Sequence, residues 1–314
     1  MNAAWWYALI VAVAAGAVQS GTSVLYATLG ETLSERAGVV NLGTEGCMLA
    51  GALGGYAICA ETGSPWVGVL AGAAAGALLA AVHAVLVLHR GANQLASGLV
   101  VLFLALGVTA LFGGAYGEGA KTHFAPLQQY WIPVLKDIPV LGPVLFRHDP
   151  LTYLSFVAAF GLWALLFRSR WGLLVRAAGE RAGVLDAYGH SARRVRYLAV
   201  TGGGALAGIG GAQLSVAYTQ VWHENMTGGR GFVAVALVIF AAWHPLRAIG
   251  GAYLYGAALA LSPALQARGV TLNQYLFDAL PYVVTVVALV LLSRWRAHTA
   301  PEELSRVFDM TPAR

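Results

Sequence analysis

The sequence predicts an all-α, polytopic integral membrane protein with about nine (8–10) transmembrane helices, and three observations carry that reading. Of 314 residues, 58% are hydrophobic and only 11% charged. Soluble domains carry about 25% charged residues, so this chain lacks the polar material to coat a water-facing globule. Apolar runs of helix length recur between charged positions. The 19 Lys and Arg residues flank those runs instead of gathering in one patch. The net charge of +5 therefore speaks for membrane topology and against a nucleic-acid partner.

A bilayer core about 30 Å thick takes about 20 helical residues. Runs of that kind fall near 5–28, 39–60, 66–88, 92–113, 150–167, 197–217, 231–243, 248–264 and 279–293. The first lacks a positive leading region and outlasts the apolar part of a signal peptide, so it is expected to be an uncleaved span. The second holds both cysteines, Cys47 and Cys59, about 18 Å apart along a helix and too far for a disulfide. The third carries Gly68, Gly72 and Gly76, and the sixth Gly204 and Gly208. Small residues at this spacing let backbones approach closely. Tight packing within the subunit and a moving interface both fit them.

The seventh run is short for a span, but it settles the topology. Placing Arg168–Arg196 in the cytoplasm puts fourteen Lys and Arg residues inside, among them Arg36, Arg90, Arg247, Arg294 and Arg296. Five stay outside: Lys121, Lys136, Arg147, Arg230 and Arg268. This bias predicts an external N-terminus and an internal C-terminus, and dropping the seventh span would move Arg294 and Arg296 to the wrong side. Residues 1–297 form the transmembrane domain in this reading, and 298–314 a cytoplasmic tail. Arg36-Ala-Gly-Val-Val and Arg230-Gly-Phe-Val-Ala open the second and seventh spans on opposite sides, a faint inverted repeat.

Two segments are not spans. The cytoplasmic stretch 168–196 is too charged to insert, yet Leu174, Ala177, Ala178, Ala182 and Leu185 fall at helical spacing before a stop at Gly189. Docking onto another protein and lodging among lipid headgroups both fit it. The external loop 114–149 is broken by Pro126, Pro133, Pro139 and Pro143. It is apolar for a loop, and at that length is expected to pack over the external mouth, receive a partner or rest on the membrane surface.

Catalytic signals fail. Gly117-Glu-Gly-Ala-Lys121-Thr122 misses the phosphate-binding loop pattern, because alanine separates glycine from lysine. No metalloprotease, Cys-x-x-Cys or nucleophile-elbow motif occurs, and the eight histidines are scattered, so neither cofactor nor metal is expected. Ionisable residues inside a membrane are costly and therefore candidates for function. Glu45 stands out: Asn41 and Glu45 are expected on one helical face, i and i+4, with Thr44 beside them. A carboxyl merely hydrogen-bonded within the bundle is the plainer reading. Asn93, Gln94 and Ser97 open the fourth span, and Glu224 and Asn225 precede the seventh, where they would line an outer vestibule.

The stretch Gly30-Glu-Thr-Leu-Ser-Glu-Arg-Ala-Gly-Val-Val-Asn-Leu-Gly-Thr-Glu-Gly46 resembles the signature of ABC importer permeases of the branched-chain amino acid, ribose and nucleoside branch. Ala92–Gly98, Asp137–Val144 and Glu224–Phe232 carry further likeness, closest to nucleoside or simple-sugar permeases. The resemblance implies a non-enzymatic transport subunit in a bacterial inner membrane. It would pair with a second, homologous permease and be driven by separate ABC ATPase subunits. An external binding protein would feed it a small polar solute, a nucleoside first and simple sugars or branched-chain amino acids otherwise. It also implies that Glu180, Arg181, Ala182, Asp186, Ala187, Gly189 and His190 lie in the segment that couples to the ATPase, although His190 replaces an expected aliphatic residue. An ATPase-independent secondary transporter is the alternative from another class.

Overall fold

A computed structural model describes residues 3–117, 124, 127, 130–131, 138–270, 273–293 and 300–308. Part of the loop 114–149, including Lys121 and Lys136, lies outside the described residues, as do Arg294 and Arg296. The helices run α1 Ala3–Arg36, α2 Thr44–Thr62, α3 Pro65–Arg90, α4 Gln94–Gly113 and the short α5 Leu141–Leu145. They continue as α6 Pro150–Arg168, α7 Arg170–Glu180, α8 Ala182–Ala187 and α9 Ala192–Ala212, which a π-helical turn, Gln213–Tyr218, extends. The last four are α10 Arg230–Phe240, α11 Pro245–Gln266, α12 Gln274–Ser293 and α13 Glu302–Phe308. Five of these, α1, α3, α4, α6 and α11, are long and apolar enough to cross a membrane. Among the described residues the regular structure is helical apart from a two-residue antiparallel ladder, Tyr130–Trp131 with Arg147–His148, within the loop 114–149.

The termini follow local chemistry. Pro65, Pro150 and Pro245 each occupy the first helical turn, where a missing N–H costs nothing. Asp149 accepts from the N–H of Thr152, and Ser191 from that of Arg194. Gly63 and Gly91 close α2 and α3 in the left-handed conformation.

Four expectations need correction. The first helix does not end near residue 28 but continues to Arg36. Its polar residues are satisfied in place: Thr22, Thr28 and Thr32 each donate to a carbonyl four residues earlier. The second helix begins at Thr44 and not near residue 39, because residues 37–43 fold back non-helically with Gly38 at φ +86°. Asn41 and Glu45 therefore do not share a helical face. The seventh interval holds only the 11-residue α10, preceded by non-helical chain over residues 219–229 and followed by Ala242 and Trp243 at positive φ. Within the segment 168–196 the amphipathic stretch is two helices, not one, broken at an extended Arg181, and α9 already begins at Ala192.

Small residues place α9 at the centre. Gly204 and Gly208 meet Gly72, Gly76 and Ala80 of α3, while Gly208 and Gly211 meet Gly51 and Met48 of α2. On its other side α9 touches α1, where Gly203 lies against Gly30 and Gly210 against Ser23. A Cβ at Gly208 would overlap the backbone of α3 at Gly72, and one at Gly51 of α2 would overlap Gly208, so the two small-residue motifs noted in the sequence interlock with each other.

Arginines gather at one end. Arg36 Nε donates to Trp243 O at 2.9 Å, and Arg196 donates to Ala37 O and Ala178 O. Arg176 lies over the Phe167 ring, which stacks on His244. Arg196 also pairs with Glu303 at 3.1 Å, and Arg181 with Glu302 at 3.3 Å. The ends of α1 and α6, the segment α7–α8, the 241–247 turn and α13 therefore share one face of the bundle.

Candidate functional site

Two helix starts inside the bundle are each met by a carboxylate from another element. At the first, Glu31 of α1 accepts from the N–H of Asn41 (2.7 Å) and from Thr44 Oγ1 (2.7 Å), which sits in the first turn of α2. Asn41 Oδ1 takes the N–H of Gly43. Unpaired N–H groups and the helix dipole make such an N-terminus a favourable place for negative charge. The folded-back chain is held from its far side by Gln94, whose Oε1 accepts from the N–H of Val40 (2.7 Å). His83 of α3 bridges Val40 O and Ser97 Oγ, each at 3.1 Å.

At the second start, Glu45 of α2 meets α10. Its carboxylate accepts from Thr227 Oγ1 (2.6 Å), from the N–H of Gly229 (2.8 Å) and from the N–H of Gly231 (2.5 Å). Glycine is required at 231, since a Cβ there would overlap the Glu45 backbone. Glycine is favoured at 229 as well, where φ is +83°. Thr44 and Glu45 adjoin, so the two carboxylate junctions stand back to back across one turn of α2.

The chain that reaches the second junction descends along α2. Trp222 packs against Gly113 and, with Met226, against Leu49, Ala52, Leu53 and Tyr56. Glu45 lies about 25 Å by helical rise from the Thr62 end of α2, so the segment penetrates deeply. Trp222, Met226 and Thr227 are buried, whereas Gln220, His223, Glu224, Asn225 and Gly228 are exposed. Tyr282 of α12 donates to Gly228 O at 2.9 Å, closing one flank.

Of the residues singled out from sequence, Asn41, Thr44, Gln94 and Ser97 come together around Glu31 and His83. Glu45 joins the segment that bears Glu224 and Asn225. Asn93 stands apart as the exposed cap of α4, its Oδ1 accepting from Ala96 N–H. Glu31, Glu35 and His83 were not among the candidates. Glu35, a turn beyond Glu31 on the same face, accepts from Trp243 Nε1 at 2.5 Å. The signal was the spacing Glu31-x-x-x-Glu35 inside what read as a span boundary. Among the described residues no group of three or more His, Cys, Asp or Glu side chains is placed to hold a metal.

At the arginine end, Val175, Ala178, Gly179 and Leu185 bury one side of α7 and α8. Glu180, Arg181, Asp186, Ala187, Gly189 and His190 are exposed, and Ala182 is half-buried. Tyr188, 80% exposed, and Val184, 45% exposed, project between these polar groups. The result is a small convex platform of mixed polar and apolar character.

Residues 7–289 match the family described as branched-chain amino acid transport system / permease component. TsgC13 of Haloferax volcanii, an ABC transporter permease protein named for glucose, is 41% identical over 87% of this chain and 88% of its own. The guanosine ABC transporter permease protein NupQ of Bacillus subtilis is 36% identical over 85% and 87%. The nucleoside ABC transporter permease protein NupC of Lactococcus lactis is 30% identical over 86% and 88%. No solved structure matches significantly.

Proposed function

We propose, from the premise that this chain belongs to the branched-chain amino acid transport system permease family, that it is the membrane-spanning subunit of an ATP-driven importer for a small hydroxyl-bearing solute. Nine crossings, an external N-terminus and the arginine end in the bacterial cytoplasm complete the reading. Separate ABC ATPase subunits would supply the energy, a second homologous permease would complete the passage, and an external binding protein would deliver the solute. A nucleoside is the favoured cargo and a simple sugar the alternative. The relatives named for guanosine, nucleosides and glucose share that choice, and a nucleoside carries a sugar of its own.

One observation carries the proposal beyond family membership. The segment 219–229 is non-helical, lies deep along α2 and exposes polar side chains. Lipid cannot satisfy free backbone N–H and C=O groups, so such chain survives at membrane depth only against protein or water. We therefore assign Gln220, His223, Glu224 and Asn225 to the wall of a water-filled passage, with hydrogen-bonding groups suited to a neutral polyhydroxylated solute. Glu45 anchors that wall and lies behind it. Asn41, Thr44, Gln94 and Ser97 shape the neighbouring turn, and Asn93 caps α4.

Cysteine accessibility tests the passage. Cys47 and Cys59 are buried and give a silent background. Asn225→Cys and Glu224→Cys are expected to react with a membrane-impermeant thiol reagent in intact cells, and an excess of transported solute should slow the reaction. No labelling of either residue in the assembled transporter would remove the passage assignment. Co-purification of an ABC ATPase with the tagged chain separates the importer from an ATPase-independent transporter, and uptake of labelled guanosine against labelled glucose decides the cargo.

A further inference from the structure

We propose that the arginine-rich end carries a binding site for one anionic phospholipid, between the last turns of α3 and the first turns of α9. The inference rests on the reading of the chain as membrane-spanning, but on neither the solute nor the ATPase. A cavity of about 760 Å³ opens there, lined by Val85, His89, Arg193, Arg194, Tyr197 and Leu198 and by no acidic residue. His89 meets Tyr197 edge-on, with ring centroids 6.2 Å apart, which fixes the two rings in the wall.

The two arginines differ from four others at this end. Arg36, Arg176, Arg181 and Arg196 are all engaged by carbonyls, carboxylates or an aromatic ring. Arg193 and Arg194 are exposed, and their guanidinium groups make no hydrogen bond or ion pair among the described residues. Two adjacent guanidiniums without a carboxylate partner present donors in the planar fork that matches a phosphodiester. Ser191 Oγ is occupied by the N–H of Arg194, so the helix start itself is already capped.

Val85 and Leu198 give the cavity an apolar wall that suits acyl chains, and the exposed surface of α3 stays apolar beyond it. Leu78, Val82, Val85 and His89 form one stripe along α3 at helical spacing, and its three apolar members are 68%, 37% and 39% exposed. On α9, Leu198 lies one turn further from the water boundary than Arg194 and is 56% exposed. Basic groups at the boundary therefore grade into an apolar surface along the membrane normal, the polarity profile of a phospholipid. A free phosphate would use the arginines and leave the stripe bare. An acidic protein surface would do the same. Basic pockets between helix ends are known to favour anionic headgroups.

The test uses the full chain purified in non-ionic detergent. Native mass spectrometry should retain one phosphatidylglycerol per chain, and phosphatidylglycerol should raise the thermal unfolding temperature where phosphatidylcholine and inorganic phosphate do not. Arg193→Gln with Arg194→Gln should weaken the phosphatidylglycerol effect roughly 30-fold, the contribution of two basic residues at a membrane surface. Leu198→Gln should weaken it as well. Arg170→Gln with Arg247→Gln removes the same charge at the same end, outside the cavity, and should leave the effect intact. Equal stabilisation by phosphatidylcholine would overturn the proposal, and so would equal stabilisation by inorganic phosphate. Equal losses in the two double variants would reduce the effect to general charge attraction and also overturn it. The wild-type comparison among the three additives decides even if a variant fails to fold.

Discussion

Glu45 receives the backbone N–H of Gly231, 186 positions later in the chain, at 2.5 Å. That bond and its neighbours from Gly229 and Thr227 fasten the start of the half-length α10 to the first turn of α2. A hydrogen bond to a charged group contributes about 1.5–3 kcal/mol, more than a neutral one. Glu45→Ala should therefore lower stability by several kcal/mol and abolish uptake, because α10 loses its seat. Glu45→Gln keeps the shape but must turn its amide donor towards one of three donors, so it should lose stability to a lesser degree. Thermal unfolding in detergent ranks the variants. A wild-type unfolding temperature for Glu45→Ala would show that the junction holds nothing.

The glycine contacts predict a contrast between two helix positions. Gly208→Val would drive a branched side chain into the α3 backbone at Gly72 and Gly76, which cannot yield as a side chain can. Its cost should exceed the 1–3 kcal/mol usual for overpacking, seen as loss of folded protein on size exclusion. Gly107 in α4 has nothing near its missing Cβ, so Gly107→Ala should be neutral or stabilise by up to about 1 kcal/mol through helix propensity. Equal effects at the two positions would contradict the packing described for α9.

Much of this was legible in the sequence. The glycine spacings of α3 and α9 point to close packing, and apolar runs between charges mark out α3, α4, α6 and α11. Glu45 stood out as a carboxylate within an apolar run. Its partners did not, because a bond to Gly231 spans the chain and leaves no local pattern. Periodicity also cannot tell a helix from chain that folds back while still buried. The apolar pattern therefore carries α2 back over Asn41, one turn too far, and gives α10 only as a short span. Glu31 and Glu35 looked like the polar margin of α1; their burial depends on Thr44 and Trp243 arriving from elsewhere.

The platform at the arginine end makes a prediction about coupling. Gly189 has φ +77° and donates its N–H to Asp186 O at 3.1 Å. Proline fixes φ near −65° and has no N–H, so Gly189→Pro must rebuild the turn after α8. Asp186→Arg reverses an exposed charge on the same short helix. Both positions lie outside the packed bundle, so each variant should fold with a near-normal unfolding temperature. Each should nonetheless lose uptake and solute-stimulated ATP hydrolysis in the reconstituted assembly. Full stimulation in either variant would remove α8 from the coupling contact.

The C-terminal helix supplies the last prediction. Glu303 pairs with Arg196 while both side chains are largely buried, at 13% and 17% exposure. Leu304, 3% exposed, packs with Val40, Val238 and Trp243, so α13 braces the folded-back chain of residues 37–43 and the turn after α10 together. Arg196 keeps its bonds to Ala37 O and Ala178 O when Glu303 is lost, which limits the cost of an unpaired charge. Glu303→Gln should therefore lower stability by about 1.5–3 kcal/mol, the range for a charged hydrogen bond. Leu304→Ala should cost about 2–5 kcal/mol if the site cannot collapse. Because α13 touches α7 and the folded-back chain of residues 37–43 at once, both variants should also loosen the arginine end, read as faster labelling of a cysteine placed at Val40. Slow labelling in both, with wild-type stability, would mean that α13 merely rests on the bundle and that the arginine end is closed by α1, α7 and α9 alone.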